Sequence, residues 1–110
     1  MKFMMTFSWK PNAKTQEEAI SRFQKTGGQP PKGAKLLGRW TRADFSGGFD
    51  LLDTDDPQTL VEFALMWSDL MELTIVPVLE DAQLSAVLER MGKSEGRKSV
   101  PQGAARRGQW

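Results

Sequence analysis

The chain has 110 residues, 39% of them hydrophobic and 26% charged, with a formal net charge of +1. That suffices for one hydrophobic core rather than two, and it excludes the low-hydrophobicity, high-charge signature of disorder. Cysteine, histidine and tyrosine are all missing, which excludes disulfides, thiolate chemistry, a Ser-His-Asp triad, a histidine-ligated haem and the usual catalytic zinc.

Phe3, Met5, Phe7 and Trp9 alternate with Lys2, Met4, Thr6 and Ser8, the period-two pattern of a strand with one apolar face. Pro11 ends it. Thr15 followed by Glu18 fits a capping box, and Ala19, Ile20 and Phe23 then line one face of a short amphipathic helix that stops at Thr26-Gly27-Gly28 and Pro30-Pro31. A second strand is predicted over Lys35 to Thr41, with Leu36, Gly38 and Trp40 on one face and Leu37 and Arg39 on the other. Arg42 to Gly48 reads as a hairpin loop whose glycines permit positive φ, and Phe49 to Asp53 as a third strand.

Asp55-Asp56-Pro57 is the clearest local signal, combining an acidic cap with proline at the first helical position. Leu60, Phe63, Ala64, Trp67 and Met71 follow at helical spacing. Leu73 to Leu79 forms a fourth strand, and Pro77 within it predicts a sheet edge. Leu84, Val87, Leu88 and Met91 predict a third helix from Glu80 to Met91, ending at Gly92. Residues 1–92 form the domain. They carry ten basic and thirteen acidic residues, whereas 93–110 carries five and one and reads as a solvated basic tail with only Val100, Ala104, Ala105 and Trp110 to bury.

Strand, helix, strand, strand, helix, strand, helix is the ferredoxin-like βαββαβ order with an extra C-terminal helix, an α+β fold on a four-stranded antiparallel sheet. The first and third strands are then central. Both crossover helices pack on one face of the sheet, leaving the other bare. Depending on register, that bare face takes Met4, Leu37, Leu52, Val76 and Val78 with Lys2, Thr6, Arg39 and Asp50. A bare face this apolar predicts a homodimer in which two sheets face each other.

Lys2-Phe3-Met4, Arg22-Phe23 through Thr26-Gly27-Gly28, Gly33 through Leu37-Gly38-Arg39-Trp40, Gly47-Gly48-Phe49, Thr54-Asp55-Asp56, Trp67-Ser68-Asp69-Leu70 and Pro77-Val78-Leu79-Glu80-Asp81 occur in this order. Over about Met1 to Leu88 the chain resembles a family of short bacterial proteins, domain of unknown function 3303, within the dimeric α/β-barrel superfamily. The resemblance implies that fold and carries over no catalytic residue. The superfamily includes cofactor-free monooxygenases, isomerases, haem enzymes and ligand-binding domains; the absence of histidine separates this chain from the histidine-ligated haem branch.

Arg39 and Asp50, with Asp53 beside them, stand on adjacent strands and could line a dimer cavity that grips a polar or anionic small molecule. A plain cross-strand ion pair is the structural alternative. Trp9, Trp40 and Trp67 could wall such a cavity, although indoles at this spacing belong more often to a core. Trp67-Ser68-Asp69 reads as a turn and Glu80-Asp81 as a helix start. Asp53, Asp55 and Asp56 lack the further oxygen ligands of a calcium loop.

The expected function is therefore a cytoplasmic homodimer that binds a small organic molecule between its sheets, with no metal and no cofactor. Two alternatives stand beside it, a cofactor-independent monooxygenase-like or isomerase-like enzyme and a purely structural interaction dimer. No apolar run is long enough to span a membrane, and five tail charges without interleaved aromatics make nucleic acid an unfavoured partner.

Overall fold

The computed structural model describes residues 1–95. Its elements are β1 (Lys2–Trp9), α1 (Ala13–Thr26), β2 (Lys35–Thr41), β3 (Gly47–Asp53), α2 (Gln58–Trp67), β4 (Met71–Val78) and α3 (Asp81–Glu95). The strands form one antiparallel sheet in the order β2-β3-β1-β4. This is the ferredoxin-like arrangement with a further C-terminal helix, and β1 and β3 are central as expected. Pro77 stands opposite Phe3 on the edge strand β4, where a missing N–H is tolerated.

Two compact units divide the chain, Met1–Val78 and a second beginning at Leu79. The described part of the second is α3, which opens with Glu80 N–H on Gln83 Oε1 at 2.8 Å. It continues through Gly92 to Glu95 instead of stopping at the glycine, a residue that costs an interior turn only about 1 kcal/mol relative to alanine. The basic tail expected over 93–110, with Val100 and Trp110, lies from residue 96 onward outside the described residues. Among the described residues no helix is long and apolar enough to cross a membrane.

Local chemistry places the helix starts of the first unit. α1 begins two residues before Thr15: Asn12 is its cap, with Oδ1 accepting the Lys14 N–H at 2.9 Å, and Thr15 turns inward. Asparagine outranks threonine at this position. At α2, Asp56 Oδ1 accepts the Gln58 N–H at 3.0 Å, just ahead of the first described helical turn. That helix ends at Trp67, so Met71 belongs not to α2 but to the start of β4, opposite Trp9. The turn between them is closed by Leu70 N–H on the Trp67 carbonyl at 3.0 Å.

Strand register decides which side chains share a face. Met5 pairs with Asp50, Phe3 with Leu52 and Phe7 with Gly48, and the buried cluster of Met5, Phe7 and Leu52 packs with Leu60, Phe63 and Trp67 of α2 and with Ala19 of α1. Leu52, Asp50 and Arg39 therefore lie on the helix-covered face, not on the bare one. A bulge between Leu36 and Gly38 is the reason for part of this. It brings Leu36, opposite Leu52, onto the same face as Arg39, opposite Asp50, and leaves Gly38 and Trp40 on the other. A one-residue shift of this kind reverses every side chain beyond it. The opposite face carries Met4, Phe49, Leu51, Val76 and Trp40, whose indole lies over Gly38.

Gly47 and Gly48 are the first residues of β3 rather than loop positions. Neither needs positive φ; each is instead pinned by close approach. A Cβ on Gly48 would collide with the Trp40 carbonyl and lie 2.8 Å from the Phe7 ring, and one on Gly47 would strike the Phe7 carbonyl. Gly48→Ala is therefore expected to lower stability by about 1–3 kcal/mol through overpacking, read as a shift of the urea midpoint at constant slope.

Candidate functional site

A cavity of about 370 Å³ opens between the sheet and the helices α1 and α2. β1 contributes Met5, Phe7 and Trp9, and α1 contributes Ala19, Ile20, Phe23 and Gln24. Arg39 and Asp50 form part of the sheet wall, with Phe63 and Trp67 of α2 opposite and Phe45 of the hairpin loop at the side. The volume lies at the lower end of the range for small-molecule sites. Ile20 and Phe23 are 40% and 47% exposed although they sit on the inward stripe of α1, because what they face is this space.

Four of the five residues expected at a site converge here. Trp9, Trp67, Arg39 and Asp50 all line the cavity, while Trp40 stands on the other face of the sheet and 54% of it is exposed. The cavity that gathers them thus lies on the helix-covered face of the sheet and not on the bare one. Asp53 is also elsewhere, at the far end of β3, where it accepts the N-terminal ammonium at 3.1 Å.

Arg39 and Asp50 hold each other. Arg39 Nε donates to Asp50 Oδ1 at 2.7 Å and one terminal nitrogen to Oδ2 at 2.9 Å, with the two side chains 21% and 1% exposed. The same guanidinium donates to the carbonyls of Gly27 and Gly28 at 3.2 and 2.6 Å and lies 5.5 Å from the Phe23 ring centre. Gly27 and Gly28 have φ of 72° and 61°, a left-handed turn closing α1, and a Cβ on Gly28 would press into the guanidinium at 2.6 Å. One arginine therefore ties the end of a helix to a buried carboxylate in the middle of the sheet. Of its five N–H donors four are used.

Sequence alone marks Arg42 to Gly48 as a loop; the structure gives its aromatic residue a place in the cavity wall. Phe45 is the one described residue other than glycine with positive φ, at 58°. Its carbonyl accepts the Trp9 indole N–H at 2.6 Å, and the two rings lie 5.6 Å apart. Asp44 braces this conformation by accepting from Arg42 at 3.1 and 2.9 Å and from the Ser46 N–H and hydroxyl at 3.1 and 2.7 Å. The Arg42 hydrogen bonds, then those of Ser46, hold the Asp44 carboxyl well below its ordinary range. A large aromatic inside an otherwise polar and glycine-rich turn was the available signal.

Trp67 is fixed from outside. Arg22 of α1 lies 5.3 Å from its ring, donates to the Met66 carbonyl at 2.8 Å and forms a two-point pair with Asp69 at 2.9 Å. Hydrogen bonding to Arg22 lowers the Asp69 pKa below the usual carboxylate value, and Asp69 raises that of Arg22. Ser68-Asp69 thus serves a helix end and its clamp. Among the described residues no group of three or more acidic residues is placed to hold a metal ion.

The chemistry of the Arg39–Asp50 pair yields a stability prediction. Arg39→Leu strands a buried carboxylate and is expected to cost about 3–5 kcal/mol, and adding Asp50→Leu should recover most of that loss. Urea unfolding of the two variants and the parent checks it; a double variant no more stable than the single one would be the contrary result.

Comparison with known proteins places this geometry in context. No curated protein matches the sequence. Among solved structures, Rv0793 from Mycobacterium tuberculosis is similar at a TM-score of 0.48 and 10% sequence identity, over 74% of this chain and 99% of that one. The family model described as Domain of unknown function (DUF3303) matches residues 1–92. The chain belongs to that family.

Proposed function

We propose that this protein binds a small, largely apolar organic molecule in the cavity beneath its helices, one per subunit, and that it does so as a homodimer in the cytoplasm. The observation that supports binding is the 370 Å³ space itself, walled by aromatic and thioether side chains between the sheet and the two helices. Unfilled apolar volume of this kind is costly in a structural core, and a guest would remove that cost. Binding is favoured over turnover because the two charged groups in the wall are spent on each other: both Asp50 oxygens accept from Arg39, so neither residue is available as a base or as a free cation. The ligand site proposed is thus Arg39, Asp50, Trp9 and Trp67 with Phe45 and Phe23, without Trp40.

Pairing of two copies is supported by the other face. Trp40 and Val76 are 54% and 46% exposed there, beside Met4, Phe49 and Leu51 in neighbouring register. Apolar side chains clustered on one sheet face favour a self-complementary contact.

The uncharged dye N-phenyl-1-naphthylamine, which fluoresces in apolar surroundings, is expected to bind at one molecule per subunit. Ile20→Trp, which places a larger side chain in the cavity from a position that is 40% exposed, is expected to weaken that binding at least about tenfold with an unchanged circular-dichroism spectrum; undiminished binding would point elsewhere. Sedimentation velocity checks the second half of the proposal: the parent should sediment as a dimer and Trp40→Asp as a folded monomer.

A further inference from the structure

Within that binding reading, we infer that the cavity selects uncharged aromatic molecules bearing one hydrogen-bonding group, seated with the rings inside and the polar group at the mouth between Gln24 and Thr41. Three observations carry this, and the first concerns charge. Among the described residues, Arg39 and Asp50 are the only ionisable ones lining the cavity. Their charges cancel, four of the five guanidinium N–H groups are used, and the Asp50 side chain is 1% exposed. An anion at the one remaining Arg39 N–H would meet a guanidinium whose charge Asp50 already balances, and a cation would meet an Asp50 carboxylate already balanced by Arg39. Either ion would give up its hydration without gaining a counter-charge.

The second observation is shape. Among the described residues, six aromatic ones, Phe7, Trp9, Phe23, Phe45, Phe63 and Trp67, line a space of about 370 Å³. Flat rings meet such walls by stacked and edge-on contacts, which add to the gain from burial alone. Trp9 and Phe45 present a rigid pair, since the indole N–H is already held by the Phe45 carbonyl at 2.6 Å and cannot serve a ligand.

The third is where the unused polarity lies. Among the described residues, the neutral polar side-chain groups of the cavity wall without a hydrogen-bond partner are the Gln24 amide, the Thr41 hydroxyl and the Trp67 indole N–H; of these three residues Gln24 and Thr41 are exposed and Trp67 is buried. A glutamine amide and a threonine hydroxyl each donate and accept, so either can satisfy a hydroxyl or carbonyl on a neutral guest without asking it to carry charge.

The test uses bound N-phenyl-1-naphthylamine as reporter and displaces it with four naphthalenes of similar size: 1-naphthylmethanol, 1-naphthoate, 1-naphthylmethylammonium and 1-methylnaphthalene. The alcohol is expected to displace the reporter at a concentration at least about tenfold lower than either ion requires. It should also outdo the methyl compound in the parent by about threefold to tenfold, an advantage that Gln24→Leu and Thr41→Val each reduce. These two positions are exposed, so the variants should fold. An ion that competes as well as the alcohol overturns the selection for neutral guests. A methyl compound that matches the alcohol overturns the role of the mouth, and so does an advantage unmoved by both variants. A reporter that never binds removes the cavity reading itself, an outcome distinct from these.

Discussion

The buried two-point pairing of Arg39 with Asp50 is the constraint on which the first unit depends. A carboxylate with 1% of its side chain exposed is tolerable in an apolar core only with hydrogen bonds and an opposite charge beside it. Arg39 supplies a bond to each oxygen and the charge and, with further N–H groups, also holds the carbonyls of Gly27 and Gly28 at the end of α1. The requirement propagates outward. The bulge in β2 lets Leu36 and Arg39 point the same way, and Gly28 must lack a side chain because the guanidinium occupies the space that a Cβ would take. A buried ion pair contributes little net stability by itself, and here its effect is geometric: it sets the position of a helix end over the sheet.

That position creates the cavity. α1 meets the sheet through Ala19, the small residue of its inward stripe, while the bulkier Ile20 and Phe23 stand at the edge of the space. Phe45 and Trp9 close another side through a hydrogen bond and ring contact, and Arg22 fastens Trp67 from the outside. Ala19, a small side chain set among the larger Met5, Phe7, Phe63 and Trp67, leaves the void between them. Charge neutrality in the wall follows from the same pair that organises the fold, so the architecture and the proposed ligand chemistry have one cause.

The two faces of the sheet thus differ in chemistry. One holds the core, the ion pair and the cavity; the other presents Trp40, Phe49, Leu51, Met4 and Val76 in adjacent register. Sequence alternation required both sets to exist, because every strand must place its successive side chains on opposite sides. Which set went under the helices was a separate matter.

Read alone, the sequence determined the element order, the ferredoxin-like topology with Pro77 on an edge strand, and the α2 start at Asp56-Pro57. Those are local signals: periodicity, proline geometry and capping chemistry act over a few residues and survive into any fold containing them. It also singled out Arg39, Asp50, Trp9 and Trp67, since charge and indole in strands are conspicuous wherever they point. Only the tertiary structure decided that these four meet beneath the helices while Trp40 faces away, that Gly48 answers to the Phe7 ring and the Trp40 carbonyl, and that Phe45 closes a wall. Each of these turns on a bulge, a close approach or a pairing between residues far apart in the chain. A β-bulge reverses which side of the sheet a residue faces without altering the alternation that announces the strand, and no reading of neighbouring residues can recover that choice.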